Sequence, residues 1–243
     1  GVWAGAYAMT SGAGACEACC IPPFLDGRRR VRAAAHAGSW YPAEAGRLRQ
    51  ELEGLLADAR RVGTWAQPPK ALIVPHAGLR CCGPTAASAY THLEPSAVER
   101  IVVLGPSHHK ALRRCALPPR SVATYDSPFG SVALDSDALE ELRETGDFEE
   151  LTCAEDEAEH SVEMQLPFTA LRMERSAGNW GLLPIVVGHL THESCARYAK
   201  HLAPYFDDPG THFIISSDFC HWGSKFHYQP RLAPTSQPAQ AHI

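Results

Sequence analysis

The stretch Ile101-Val-Val-Leu-Gly-Pro-Ser-His-His109 joins four apolar residues to a polar turn that carries two histidines. A short continuous apolar run is typical of a strand buried on both faces of a sheet. The same pattern recurs at 71–74, which leads into Pro75-His-Ala-Gly78, and at 213–215, which leads into Ser216-Ser-Asp-Phe-Cys-His-Trp-Gly223. Three such strands, each followed by polar sequence, indicate a sheet whose strands end at a common edge.

Helical patterns separate these strands. Leucines at positions 48, 52, 55 and 56 form one stripe of an amphipathic helix. Four helices are predicted: one over 45–59, one that begins at Gly83-Pro84, one over 161–173 and one over 193–202. A further strand is predicted over 182–187 and a β-hairpin over 121–134. Strands that alternate with helices predict an α/β protein with a largely parallel central sheet flanked by helices.

The polar clusters that follow the strands are candidates for one shared pocket. In open α/β sheets the ligand crevice lies beyond the carboxyl ends of the strands, and parallel strands bring those ends together. The residues expected there are His76, His108, His109, Asp218 and His221. Neutral imidazoles suit zinc, iron or copper, and Asp, Glu or Cys could supply a third ligand.

Asp218 and His221 stand three residues apart, a spacing that suits a carboxylate orienting an imidazole, so His221 could act as acid or base. In the alternative interpretation, Asp218 caps a turn and His221 packs beside Trp222.

Two further motifs could contribute to the pocket. In Glu159-His-Ser-Val-Glu-Met164, His160 and Glu163 lie at helical spacing, and Glu163 could be a ligand or could orient one. The alternative is an acidic helix start that complements the helix dipole. In His36-Ala-Gly-Ser-Trp-Tyr41, Trp40 could line the pocket or belong to the core.

The composition of the 243-residue chain excludes several classes of protein. Hydrophobic residues make up 45%, which is enough to form a core. The net charge of −5 is not the excess of positive charge that nucleic-acid-binding proteins usually carry. No apolar run is long enough to insert into a membrane. Nine irregularly spaced cysteines favour reduced thiols in the cytoplasm. Cys16-x-x-Cys19-Cys20 could be half of a zinc site, but the chain offers no second half, and the favoured interpretation is a flexible leader with unused thiols.

We divide the chain into three parts. Residues 1–32 are rich in small residues and end in a basic run, so we expect a disordered leader. Residues 33–228 carry all the motifs above and form the folded α/β domain. Residues 229–243 are a low-complexity tail rich in proline and alanine.

Five motifs in order resemble the signature blocks of the Memo family, the mediators of receptor-tyrosine-kinase-driven cell motility. They are His36–Tyr41, Pro75–Gly78, Leu104–His109, Glu159–Met164 and Ser216–Gly223. The resemblance covers roughly residues 33–228. It implies a fold like that of the class III extradiol dioxygenases, with His76 and His108 as metal ligands and His221, beside Asp218, in the place of the dioxygenase base.

The family resemblance also implies a function. The expected protein binds iron or copper, has signalling and redox roles, and binds phosphotyrosine peptides of receptors, or signalling adaptors, near this pocket. It resides in the cytoplasm, with the nucleus as a second location. The residues expected in or behind the pocket are His109, His160, Glu163, Cys220 and Trp40.

The chain departs from the family pattern in ways that affect the metal. A late cysteine, the family's third ligand, has no match, so we expect the C-terminal part of the domain to be missing and metal binding to be weak. Glu163 and Cys220 are local substitutes. Residues 79–81 and Gln165 also differ from the aromatic residues and histidine that the family prefers. The competing functions are a metal-dependent dioxygenase or hydrolase and an inactive truncated form.

Overall fold

The computed structural model describes residues 30–60, 63, 68–176 and 179–229. Its strands are β1 (Arg30–Arg32), β2 (Ala71–Val74), β3 (Arg100–Pro106), β4 (Ala116–Leu117), β5 (Val122–Tyr125), β6 (Val132–Ala133), β7 (Glu149–Glu150), β8 (Gly181–Val187) and β9 (Thr211–Ser216). Its helices are α1 (Ala45–Asp58), α2 (Leu79–Tyr90), α3 (Ser136–Glu144), α4 (Cys153–Ala158), α5 (His160–Glu163), α6 (Leu166–Met173) and α7 (His192–Asp207).

A six-stranded sheet in the order β2-β9-β3-β8-β4-β7 forms the centre of the fold. The strands β2, β9, β3 and β8 run parallel to one another, and β4 runs antiparallel to β8. This arrangement confirms the predicted α/β class with a largely parallel sheet. A smaller sheet has the order β1-β5-β6, in which β5 and β6 form the antiparallel hairpin expected around 121–134.

The core lies around β3, because this strand has a parallel neighbour on each side. Ile101, Val102 and Val103 are fully buried, as the continuous apolar run predicted. Helices α2, α5 and α7 pack on the strands, and α1 packs against α2 through the stripe that contains Leu48 and Leu52. The parallel strands therefore present their carboxyl ends at one edge of a well-buried sheet.

Two predicted helices have different bounds in the structure. The helix expected to begin at Gly83 begins at Leu79, because Gly78 caps it and its carbonyl accepts from the amides that follow, so Pro84 lies inside the helix. The helix predicted over 161–173, with Pro167 near its start or at a kink, consists of two helices. Pro167 has no amide proton and its ring conflicts with the preceding turn, so α5 ends at Glu163 and α6 begins at Leu166.

The ends of the chain lie largely outside the described residues. This applies to residues 1–29 of the predicted leader, including the cysteines at 16, 19 and 20, and to residues 230–243 of the predicted tail. Residues 30–32, which the prediction assigned to the leader, form β1. In the described part of the chain, no helix is both long and apolar enough to span a membrane.

Candidate metal centre

Three imidazoles meet where the parallel strands end. His76 follows β2, His108 follows β3, and His160 is the first residue of α5, which packs on β3 and β8. One ring nitrogen from each of the three lies within 4.8 Å of the others. The sequence placed His76 and His108 at this edge correctly, because parallel strands carry their following loops to the same side.

The tautomer of His76 follows from the hydrogen bonds of Ser216. The Ser216 hydroxyl donates to the Ser161 carbonyl at 2.7 Å and accepts from the Gln165 amide nitrogen at 3.0 Å. Its remaining contact, with His76 Nδ1 at 2.9 Å, must therefore be a hydrogen bond donated by the imidazole. His76 Nε2 is left with a bare lone pair. Burial lowers the pKa of His76, which favours this neutral form.

His108 is oriented by a buried carboxylate. Glu159 accepts from the His108 amide at 2.6 Å and lies 2.9 Å from His108 Nδ1, and it also accepts from the Ser161 amide. Burial alone would raise the pKa of Glu159, but these hydrogen bonds outweigh it and lower the pKa to about 2. An ionised Glu159 holds a proton on His108 Nδ1 and, with a smaller contribution from Asp218, raises the pKa of His108. His108 Nε2 is the ring nitrogen that faces Asp218, and it is the atom that could bind a metal.

Asp218 faces both of these Nε2 atoms. Its Oδ1 lies 3.2 Å from His76 Nε2, and its Oδ2 lies 3.1 Å from His108 Nε2. His76 Nε2 is buried and makes no hydrogen bond, because a lone pair there faces a carboxylate oxygen that also carries lone pairs. Two acceptors this close repel unless a proton or a cation lies between them. The donor set therefore fits a metal ion.

Glu163 belongs to a second histidine–carboxylate pair and is not available as a metal ligand. It accepts from Arg32 at 2.7 Å, from Tyr41 at 2.8 Å, and from both the amide and Nδ1 of His36 at 2.8 and 2.9 Å. Although burial opposes ionisation, these donors lower its pKa to about 2. The imidazole that Glu163 contacts is that of His36, which lies outside the group of His76, His108 and His160.

His160 lies at the centre of a ring cluster. Its ring centroid is 4.3 Å from that of His108, 5.4 Å from His76 and 4.6 Å from Trp40. Burial, together with the neighbouring His108, lowers the pKa of His160 to about 4. His109 approaches the same ring at 5.8 Å from the exposed side. Trp40, His109 and His160 are thus all brought to the pocket, as the sequence predicted.

His221 and Cys220 lie outside this cluster. Both are exposed, and the His221 ring packs on Phe226 at 5.0 Å between centroids. The structure does not pair Asp218 with His221, the first of the two arrangements that the sequence left open; the Asp218 carboxylate contacts His76 and His108. The catalytic role of His221 stays a prediction.

Several residues that build the site escaped the sequence analysis. Ser216 and Gln165 set the His76 tautomer, Glu159 orients His108, and Arg32 donates to the Glu163 carboxylate and to the carbonyls of Asp156 and Glu159. Only Glu159 had a local signal, since it directly precedes His160 and stands four residues before Glu163. The other partners are distant in sequence.

A groove of about 420 Å³ adjoins the cluster on the Trp40 side. Trp40 and Leu79 contribute to its wall, and Arg47 and Arg80 contribute positive charge beside the acidic Glu44 and Glu51. The Trp40 ring is shared between this groove and His160. A ligand in the groove would therefore lie next to the imidazoles.

Comparisons with known proteins identify the family of this chain. The family model described as Memo-like protein matches residues 32–242. The protein MEMO1 of Danio rerio and that of Homo sapiens are each 44% identical over 204 residues, which cover 84% of this chain and 67% of theirs. The memo-1 homologue of Caenorhabditis elegans is 42% identical over 214 residues, 88% of this chain and 59% of its own. The chain belongs to the Memo family.

Proposed function

We propose that this Memo-family protein binds a single redox-active metal ion, iron or copper, through His76 and His108. The observation that supports this most is that ring nitrogens of His76, His108 and His160 lie within 4.8 Å of one another, with the rings of His76 and His108 held by Ser216 and Glu159. Iron or copper bound there would supply one-electron redox chemistry. The surrounding protein would orient the two imidazoles and exclude bulk water from the His76 side, where His76 is only 4% exposed.

The carboxylate behind His108 supports the same proposal. Metal-bound histidines usually donate their second ring nitrogen to a carboxylate or carbonyl, which raises the basicity of the ligand atom. His108 has this partner in Glu159, and His76 has the hydroxyl of Ser216. A third ligand would come from His160, which has a ring nitrogen within 4.8 Å of one on each of the other two imidazoles.

The experiment that tests the proposal is metal analysis of the purified chain. We expect a bound iron or copper ion in the wild-type protein and its loss in His76→Ala. His92→Ala is the matched control, because His92 is also a buried histidine but is not in the cluster. Equal metal content in wild type and His76→Ala would reject the site.

The partner in this proposal is a phosphotyrosine peptide from a receptor or signalling adaptor, in cell-motility signalling. The groove beside Trp40 supports it, because Arg47 and Arg80 offer positive charge and Trp40 offers an aromatic face. A fluorescent phosphotyrosine peptide should bind more tightly than its unphosphorylated form. Arg80→Ala should remove that preference, and a preference that survives the substitution would exclude this groove.

A cytoplasmic or nuclear location is the remaining part of the proposal. It is supported by the described cysteines, 81, 82, 115, 153, 195 and 220, all of which are free thiols. Imaging of a tagged chain would test it, and accumulation in the secretory pathway would contradict it.

A further inference from the structure

A buried carboxylate holds the turn 36–41 on both sides of Trp40, the aromatic residue of this turn that lines the groove. We infer that Glu163 is the positioning residue of the groove: it acts through this turn and fixes the aromatic wall that a ligand would contact. Glu163 is not among the described residues that line the groove, so its influence passes through the turn. The inference rests on the proposed function only for the identity of the ligand, a phosphotyrosine peptide.

The turn forms one wall of the groove. Residues 38–44 line it, together with residues of α1 and α2. The Trp40 amide donates to the His36 carbonyl at 2.9 Å, and the Trp40 carbonyl accepts from the Leu79 amide at 2.9 Å. Gly38 has a φ of +84°, the left-handed conformation that lets the chain reverse tightly before Trp40. The place of the Trp40 ring therefore follows from where this turn is anchored.

Glu163 anchors the turn at both of its ends. Its Oε1 accepts from the His36 amide and from the Tyr41 hydroxyl, each at 2.8 Å, and its Oε2 accepts from His36 Nδ1 at 2.9 Å. Trp40 lies between these two donor residues, so a shift of the turn away from α5 would break hydrogen bonds on both sides of the ring at once. The fourth donor, Arg32 Nη1 at 2.7 Å, comes from β1 and fixes the carboxylate itself.

The negative charge of Glu163 makes this anchor strong. The side chain is fully buried, so water does not compete for its oxygens. Hydrogen bonds to an ionised acceptor are roughly twice as strong as those between neutral groups. A turn without such an anchor would occupy more positions, and a ligand would have to order it on binding. The carboxylate therefore preorganises Trp40 for a ligand in the groove.

The competing interpretation is that Glu163 only stabilises the domain, and the chain offers a matched comparison. The Tyr125 hydroxyl donates to the buried Asp156 carboxylate at 2.6 Å, and Tyr125 is 1% exposed. Replacing either Tyr41 or Tyr125 by phenylalanine removes one hydrogen bond to a buried carboxylate, but only Tyr41 belongs to the turn. A loss of stability common to both variants reports on structure, and a difference between them at the groove reports on positioning.

The test compares wild type with Tyr41→Phe and with Tyr125→Phe. Glu163→Gln is less suitable, because it would leave Arg32 buried without its counter-charge and destabilise the domain strongly. The first measurement is acrylamide quenching of Trp40 fluorescence, taken as the difference between each protein and the same protein carrying Trp40→Phe. The second is the affinity for a fluorescent phosphotyrosine peptide. Circular dichroism melting checks that each variant is folded.

We expect Tyr41→Phe to change the quenching constant of Trp40 at least about twofold and to weaken peptide binding about three- to tenfold. Tyr125→Phe should leave both quantities at their wild-type values, although each variant lowers the melting temperature by about 3 to 10 °C. Equal effects of the two variants at the groove, or no effect of Tyr41→Phe, would overturn the inference. If the wild type binds no phosphotyrosine peptide, the proposed partner is wrong, and the quenching comparison still decides the role of Glu163.

Discussion

At the scale of the single residue, Glu159 is the group on which the metal centre depends most. Its carboxylate holds both the backbone amide and the ring of His108. Glu159→Gln should weaken metal binding by about 10 to 100-fold, because the amide accepts more weakly and does not stabilise the charge on the bound imidazole. Titration with Co(II) measures the effect, and Glu144→Gln, at the exposed end of α3, is the control. Unchanged affinity in Glu159→Gln would contradict this role.

A second residue, His212 of β9, predicts how stability depends on pH. Its side chain is buried with an unpartnered Nε2, and burial, with a smaller effect of Lys70, lowers its pKa to about 4. A histidine in the unfolded chain has a pKa near 6.5. Between about pH 6.5 and 4 the unfolded chain therefore binds a proton at His212 that the folded chain does not bind. As the pH is lowered through this range, the free energy of unfolding decreases.

Replacing His212 by leucine should remove this part of the acid sensitivity. Relative to pH 7, the wild type should lose about 2 kcal/mol more than His212→Leu at pH 5. Urea unfolding at the two pH values measures the difference. Parallel pH dependence in the two proteins would show that His212 is protonated in the folded state.

At the scale of the element, the close approach of α5 to β3 places His160 over the strand ends. Gly105 allows it, since a Cβ atom there would lie 2.5 Å from Ser161 Oγ and 3.2 Å from the Ser161 carbonyl carbon. Gly105→Ala should lower the free energy of unfolding by about 1 to 3 kcal/mol by overpacking and weaken metal binding as α5 shifts.

The control for that variant is the same substitution in open space. A Cβ atom at Gly54, in α1, meets nothing within 4 Å, so Gly54→Ala should raise the free energy of unfolding by about 0.5 to 1 kcal/mol through helix propensity. Denaturant melts of both variants measure the pair. Equal changes in the free energy of unfolding for the two variants would show that α5 can move away from β3 at little energetic cost.

The elements also show what the sequence could and could not predict. Continuous apolar runs predict β2, β3 and β9, because a strand that is buried on both faces needs apolar residues at successive positions of its own sequence. Pro184 looks like an interruption of β8, yet Leu182 bonds to Asp135 and Val186 pairs with β4 on one side of the strand. Backbone N–H and C=O groups point to alternate sides along a strand, so position 184 points to the same side as positions 182 and 186. It lies between their two contacts, where no strand is paired, and the missing N–H of Pro184 therefore costs no hydrogen bond.

The supporting groups of the metal centre lie beyond local pattern. His76 meets Ser216 across 140 residues of sequence, and Arg32 meets Glu163 across 131. Ser216 begins a motif that the sequence analysis quoted, but nothing local shows that it contacts His76, and nothing near Arg32 marks that residue, since these contacts exist only after the sheets have formed. The positions of His76 and His108 at the strand ends could be predicted, because the rule for parallel strand ends applies to each strand separately.

At the scale of the whole molecule, one face of the sheet edge is uncovered. In β2, Leu72 and Val74 are buried but Ile73 is 62% exposed, and Phe206 of α7, whose ring contacts that of Phe213, is 50% exposed. Such an edge favours self-association. Ile73→Lys should reduce light scattering of concentrated protein and change the free energy of unfolding by less than about 0.5 kcal/mol.

Val74→Lys is the control, since Val74 is fully buried and its replacement should unfold the domain. Undiminished scattering in Ile73→Lys would mean that association uses another surface.

The position of β9 has a consequence for how the protein comes to be made. This strand is the last of the described ones to leave the ribosome, yet it fills the slot between β2 and β3. Until it arrives, the two earlier strands lack the neighbour that joins them, and His76 and His108 are held by separate parts of the chain. The imidazoles gain their common geometry together with Ser216, the last residue of β9. Metal capture should therefore be among the final events of folding, after synthesis has passed Asp218.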